Sequence, residues 1–172
     1  DDLSLAGKSP AGLTRFRKNR KIIMSPFKLL IRLGLIGWST INLGFKKGWV
    51  KRKDIFDYAI SQLVSGSNIE DVAVIAGGEY LTDDELIGLV LNLIKTTDSA
   101  ADLDKWRLAF LLCIEASDDS DEDKVNKLQE VYADFDYPED MASCSVYSQD
   151  NVSPLVAMSQ VVQELRERFS LI

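Results

Sequence analysis

Apolar residues recur at every third or fourth position along most of this chain. The clearest case is segment 82–94, where apolar residues occur at i, i+3, i+4, i+7 and i+8. Thr82 and Glu85 have the spacing of a capping box, which marks a helix start. Ile87 and Leu91 add apolar surface to the other side of this helix. The pattern therefore predicts an amphipathic helix that lies centrally and is covered on several faces.

Similar periodic segments, separated by short polar turns, fill the rest of the chain. Ser153-Pro154 has the form of an N-cap followed by proline in the first turn. The run Val72–Ile75 is apolar enough for a strand, but it is short and has no partner of matching pattern. We therefore predict an all-α fold, a single domain of about seven or eight helices packed as antiparallel helix pairs. Further helix starts are expected near Lys28, Ser39, Asp54, Ile69, Ser99 and Ser120.

The first 23 residues differ from the remainder of the chain. They are rich in Gly, Ser, Pro and basic residues and show no helical periodicity. Basic residues before Ile22–Met24 resemble the start of a signal peptide, but Lys28 and Arg32 interrupt the apolar stretch. We therefore expect neither a signal peptide nor a membrane span. Residues 1–23 are interpreted as a basic extension, disordered or not native, and residues 24–172 as the helical domain.

Charge divides the chain into two unequal parts. Residues 1–53 carry thirteen Lys or Arg and two acids, a net charge of +11. Residues 54–172 carry seven Lys or Arg and twenty-five acids, a net charge of −18. Because clustered charge steers association, the acidic part predicts a partner with a basic surface.

The composition argues against most catalytic chemistry. Histidine is absent, which removes Ser-His-Asp and Cys-His nucleophiles and most zinc sites. Gly77-Gly78 is not followed by the Lys-Ser/Thr of a phosphate loop. Two cysteines, Cys113 and Cys144, favour buried thiols in a reducing cytoplasm, with a disulfide between them as the alternative. We expect a cytoplasmic binding protein that is not an enzyme and needs no cofactor.

Two acidic segments are the candidate partner-binding surface. In the first, Asp119, Asp121, Asp123 and Glu130 have calcium-loop spacing, but Lys124 replaces the glycine that the loop requires. A solvated helix start is the simpler interpretation of these acids, and it is compatible with a contact surface for a basic partner. In the second, acids alternate with aromatic residues, as at protein interfaces, although an ordinary helix-ending loop is the simpler interpretation. The candidate residues are Asp118, Asp119, Asp121, Glu122, Asp123, Asp134, Asp136, Tyr137, Glu139 and Asp140.

The basic stretch 46–53 is a candidate for nucleic-acid binding, because Trp49 lies among its lysines. The acidic remainder of the chain opposes that function, and lysines also complement helix C-termini. We expect no nucleic-acid partner, and we expect the three tryptophans to be core anchors.

Several segments together resemble a bacterial family of small all-helical proteins of formerly unknown function. The resemblance covers roughly residues 27–172, and its residues are mostly apolar and glycine positions that form the fold. The segments are Leu-Ile-Gly-Trp (35–38), Gly-Phe-Lys-Lys-Gly-Trp (44–49), Lys-Asp-Ile (53–55), Tyr-Ala (58–59), Val-Ile-Ala-Gly (74–77) and Lys-Trp-Arg-Leu-Ala-Phe (105–110).

Some members of that family resemble immunity proteins of contact-dependent growth inhibition systems. The resemblance implies a cytoplasmic protein that binds one cognate toxin domain, often an RNase, in a one-to-one complex. The acidic charge agrees, because an RNase that holds a polyanion tends to be cationic. A helical adaptor or scaffold without a toxin partner is the alternative, and an RNA-binding protein that uses residues 46–53 is the third.

Overall fold

The computed structural model describes residues 24–171, and the predicted extension 1–23 lies outside these residues. Eight α-helices and one 3₁₀-helix form within the described part, and no strand does. The prediction of an all-α single domain is therefore confirmed. The helices are α1 (Pro26–Arg32), α2 (Trp38–Lys46), α3 (Arg52–Val64), α4 (Glu70–Ala76), α5 (Asp83–Leu93), α6 (Ser99–Ala116), α7 (Asp121–Asp134), the 3₁₀-helix (Glu139–Cys144) and α8 (Pro154–Arg168).

Several predicted helix starts agree with the structure in atomic detail. The Thr82 hydroxyl accepts from the amide of Glu85, whose carboxylate accepts from the Thr82 amide, at 3.2 and 2.8 Å. Ser120 and Ser153 cap α7 and α8 in the same position. Because each cap satisfies an amide that has no partner within the helix, it fixes where the helix begins.

Other predicted starts were wrong by one or two residues. α2 is preceded by Gly37 rather than Ser39, and α6 by Asp98, whose carboxylate accepts from the amide of Ala101. α3 begins at Arg52, because Asp54 occupies the third helical position and accepts from the Lys51 amide at 2.9 Å. The apolar run within α4 is helical rather than extended.

α6, and not α5, is the central helix. It packs against α1, α2, α7 and α8, whereas α5 packs only against α2 and α4 among its main neighbours. Leu91 of α5 is 48% exposed, so the prediction that this helix is covered on several faces was wrong. Trp106, Leu108 and Leu111 of α6 are fully buried, and they point in different directions around the helix.

The contact between α2 and α6 combines close packing with buried hydrogen bonds. Thr40 donates to the carboxylate of Asp102 at 2.8 Å, and the Trp106 indole donates to the carbonyl of Thr40 at 2.9 Å. One turn along α2, Gly44 lies against the Trp106 ring. A side chain in place of Gly44 would separate the two helices.

Candidate functional site

α7 and its two flanking loops form the acidic surface, which we define as residues 118–140. This segment has ten acids against Lys124 and Lys127, a net charge of −8. The apolar side of α7 is buried through Leu128 and Val131. The acidic residues are therefore left on the side that faces solvent.

The first predicted cluster surrounds the start of α7. The Ser120 hydroxyl accepts from the amide of Asp123 at 3.2 Å, which places Asp121, Glu122 and Asp123 in the first turn. All three are exposed and lie at the positive end of the helix dipole. Asp118 is exposed in the preceding loop.

Asp119 has an intramolecular partner. Its carboxylate accepts from the ammonium of Lys127, two turns into α7. This hydrogen bond is the main reason that the pKa of Asp119 lies below its usual value. The calcium-loop alternative has no support in the geometry, because residues 24–171 contain no group of three or more acids or cysteines placed to hold a metal ion.

The second predicted cluster follows the end of α7. Asp136 and Tyr137 both adopt positive φ, 59° and 52°, which turns the chain sharply before the 3₁₀-helix. Tyr137 is 62% exposed, and its ring meets Tyr132 edge-on with centroids 5.1 Å apart. Asp134, Asp136 and Glu139 are exposed around it.

Asp140, a predicted contact residue, has a role inside the fold. It accepts a hydrogen bond from Arg107, a residue of α6 that is only 4% exposed. Asp104 also accepts from Arg107, at 3.0 Å, and pairs with Arg168 at the end of α8. These ion pairs attach the 3₁₀-helix and α8 to the central helix.

The structure does not bring the two predicted clusters into one compact patch. They lie at opposite ends of α7, whose fourteen residues span about 20 Å. Between them the exposed side of α7 carries Asn126, Lys127 and Glu130. The acidic surface is thus an elongated strip with most of its negative charge at the ends.

One exposed element beside this strip was not predicted from the sequence. The Gln129 side chain donates to the carbonyl of Cys144 at 2.9 Å and accepts from the amide of Val146 at 3.2 Å. This holds the loop after the 3₁₀-helix against α7. Tyr147 in that loop is 87% exposed and Val146 is 50% exposed. In the sequence this loop is marked only by the pair Val146-Tyr147 between two serines, and such a pair has no periodicity that would predict an exposed loop.

The basic stretch 46–53 does not offer an aromatic ring for stacking on a base. Trp49 is half-buried, and its ring stacks on Phe135 with centroids 5.1 Å apart and also contacts Phe110 and Trp106. Arg52 pairs with Asp83 and also donates to backbone carbonyls. This tryptophan anchors the core, as expected from the sequence.

Both cysteines are thiols in the structure. Burial, reinforced by the nearby Asp140 carboxylate, raises the pKa of Cys144 to about 11. Cys113 is half-buried and its thiol donates to the carbonyl of Met24 at 3.3 Å. Neither environment resembles that of a reactive cysteine, which needs a lowered thiol pKa.

We expect Cys144 to react with dithiobis-nitrobenzoate only after unfolding. At pH 8 only about one Cys144 in a thousand is a thiolate, since that pH lies about three units below its pKa. The Cys113→Ser variant isolates Cys144 for labelling with and without guanidinium chloride. Complete labelling of that native variant within minutes would contradict the burial of this thiol.

A transmembrane helix needs about twenty consecutive apolar residues. None of the helices within residues 24–171 meets this requirement.

Comparison with known proteins gives one match. Residues 28–170 match the model of a family described as "Uncharacterized protein conserved in bacteria (DUF2247)". The match covers all eight α-helices except the first two residues of α1. No curated protein and no solved structure matches the chain.

Proposed function

The chain belongs to the bacterial DUF2247 family, and we propose that it is an immunity protein that binds and neutralises a cognate toxin domain. The observation that carries this proposal is the acidic surface, with a net charge of −8 over 23 consecutive residues. Residues 24–172 as a whole have twenty-five acids against fourteen Lys or Arg. This charge suits a basic protein partner.

A cationic RNase is the toxin class that fits such a surface best. An RNase must hold the phosphates of its substrate, and carboxylates arranged along a strip imitate that negative charge. Opposite charges also accelerate encounter, which matters for an inhibitor that must act before the toxin cleaves RNA. In the proposed complex, one immunity protein covers one toxin domain in the cytoplasm without performing any chemistry.

The shape of the acidic surface supports a protein partner. Its length of about 20 Å is of the order needed for an interface that buries about 800 Å² on each side. Tyr137 and Tyr147 provide exposed aromatic rings beside the charges, and tyrosine is enriched among the residues that dominate binding energy. Asp119 and Asp140 form ion pairs within the chain, so exposed residues such as Glu122, Asp134 and Tyr137 are the better contact candidates.

A helical adaptor without a toxin partner is the second candidate. It is favoured by a separate set of exposed aliphatic side chains on α3 and α4, among which Val64 is 84% exposed. α3 and α4 pack against each other, and exposed aliphatic groups on neighbouring helices suit contact with another protein rather than steering by charge. The set consists of Ile60, Val64, Ile69 and Val74.

The proposal is tested by expressing this chain with the toxin domain encoded beside its gene. We expect growth to be restored and a one-to-one complex to co-purify. If no toxin domain is encoded there, or if a toxin encoded there kills cells equally in the presence of this chain, the proposal fails.

Charge reversal at the end of α7 should slow association with that toxin. We expect Asp134→Lys with Glu139→Lys to lower the association rate about tenfold at low salt, because steering depends on local charge. Lysine at position 134 also suits the negative helix end, so folding should be preserved. Stopped-flow fluorescence at two salt concentrations measures the rate.

The matched control changes the same charge elsewhere. Glu79→Lys with Glu164→Lys replaces two exposed acids outside the acidic surface. Equal slowing by both double variants would show that net charge, and not this surface, steers the toxin.

A further inference from the structure

A pocket lies at the opposite end of α6 from the start of α7. It is formed by one side of α2, the C-terminal end of α5 and the first turn of α6, and its volume is about 430 Å³. That volume is in the range of small-molecule sites. The lining residues are Ser39, Asn42, Leu43, Lys46, Leu91, Ile94, Thr97, Ser99 and Asp102.

One wall of the pocket carries hydrogen-bond acceptors that are removed from water. Asp102 is only 4% exposed, and its carboxylate accepts from Thr40 at 2.8 Å, with the Lys105 ammonium 3.7 Å away. The hydrogen bond from Thr40 and the ion pair with Lys105 both involve Oδ1 of Asp102, which leaves part of the accepting capacity of this carboxylate unused, because an ionised carboxylate has about four acceptor positions.

Asn42 provides the second observation. Its side-chain oxygen Oδ1 is fully buried and has no hydrogen-bond partner among the described residues. A buried acceptor without a partner is rare in folded proteins, because its lost hydration is not replaced. Asn42 and Asp102 line the same pocket, so an N–H donor bound there would complete the hydrogen bonding of Asp102 and would satisfy the Asn42 oxygen once that amide group turns toward the pocket.

The rest of the lining has a different character. Lys46 lies one turn along α2 from Asn42 and is exposed, which places an ammonium group at the mouth of the pocket. Leu43, Leu91 and Ile94 provide apolar walls. The pocket thus offers acceptors inside, a positive charge at the mouth and aliphatic contacts between them.

We infer that this pocket binds a small aliphatic zwitterion that carries one ammonium and one carboxylate group. The ammonium donates to Asn42 and Asp102, and the carboxylate pairs with Lys46. A simple anion would meet the buried Asp102 carboxylate, and a simple cation would meet Lys46. Only a molecule with both charges complements both ends.

Isothermal titration calorimetry with three zwitterions and two half-ligands tests the inference. The zwitterions are L-leucine, 4-aminobutyrate and 6-aminohexanoate, which differ in the distance between their charges. The half-ligands are isoamylamine and 4-methylvalerate, each of which lacks one charge. We expect at least one zwitterion to bind, and both half-ligands to bind at least about tenfold more weakly, because charged hydrogen bonds are lost.

Variants locate the binding. Lys46→Met and Asn42→Leu should each weaken the best zwitterion at least about tenfold. Lys47→Met is the control, since Lys47 is the neighbouring exposed lysine but does not line the pocket. Circular dichroism checks that each variant remains folded.

Three outcomes would overturn the inference. They are the absence of heat from all three zwitterions at millimolar concentration, equal binding of a half-ligand, and equal weakening by Lys46→Met and Lys47→Met. None of these bears on toxin binding, which involves a different surface, so the two proposals fail independently.

Discussion

The Gly44→Ala variant should unfold more easily than the unmodified protein by about 3 kcal/mol. A Cβ atom at position 44 would lie 2.3 Å from Cζ2 of Trp106 and 2.6 Å from Cγ2 of Val50. The indole cannot retreat, because it is fully buried and donates to the Thr40 carbonyl. Adding atoms to a filled core typically lowers the free energy of unfolding by about 1–3 kcal/mol. We expect a value near the upper limit here, because the added methyl group would overlap two buried side chains.

Urea denaturation followed by tryptophan fluorescence measures this loss. Gly88→Ala is the matched control, because Gly88 lies in α5 and a Cβ there meets nothing within 4 Å. That change should stabilise the protein by about 0.5–1 kcal/mol, since alanine favours helices over glycine. If both variants are stabilised, α2 and α6 do not pack closely at Gly44.

Arg107→Leu is the second substitution with a large expected effect, again about 3 kcal/mol of lost stability. Leucine fills part of the space but leaves the carboxylates of Asp104 and Asp140 beside each other without the buried guanidinium. Removing one partner of a buried ion pair costs about 3–5 kcal/mol, and partial exposure of the two carboxylates favours the lower figure.

Arg168→Leu provides the comparison in the same network. Arg168 also pairs with Asp104, but its side chain is half exposed, so its loss should cost less than about 1 kcal/mol. Thermal and urea unfolding of both variants give the two values. A smaller effect for Arg107→Leu than for Arg168→Leu would mean that the buried pairs do not hold the 3₁₀-helix on α6.

The helix starts could be predicted from sequence wherever the signal is local. A capping hydroxyl and the amide it accepts from are three residues apart, so Thr82, Ser120 and Ser153 carry the information themselves. Where two capping residues are adjacent, as at Asp98 and Ser99, composition does not tell which of them precedes the helix.

The central position of α6, unlike the helix starts, could not be predicted from local sequence signals. α5 has a regular amphipathic pattern, which is typical of a helix packed on one side. α6 has apolar residues on all sides from Trp106 to Ile114, interrupted by Arg107. The burial of that arginine has no local sequence signal, because its two counterions within the fold include one 33 positions away.

The same limit applies to the acidic surface. Sequence reasoning located the acids correctly on α7 and its loops, but it treated all ten candidates alike. The distinction between Asp140, which pairs with a buried arginine, and Tyr137, which is exposed, depends on how α6 and the 3₁₀-helix meet. The contact between α6 and the 3₁₀-helix joins residues that are far apart along the chain, so no local sequence pattern predicts it.

The position of α6 has a consequence for the order in which the protein folds during synthesis. α1 finds the surface it buries only when residues 99–116 have been made, more than sixty residues later, whereas α2 can already pack on α5. At bacterial translation rates this leaves the apolar side of α1 without its partner for about three to thirteen seconds. The segments between them, α3, α4 and α5, can pack on one another in the meantime. The first helix is therefore the part of the described chain most dependent on chaperone protection during synthesis.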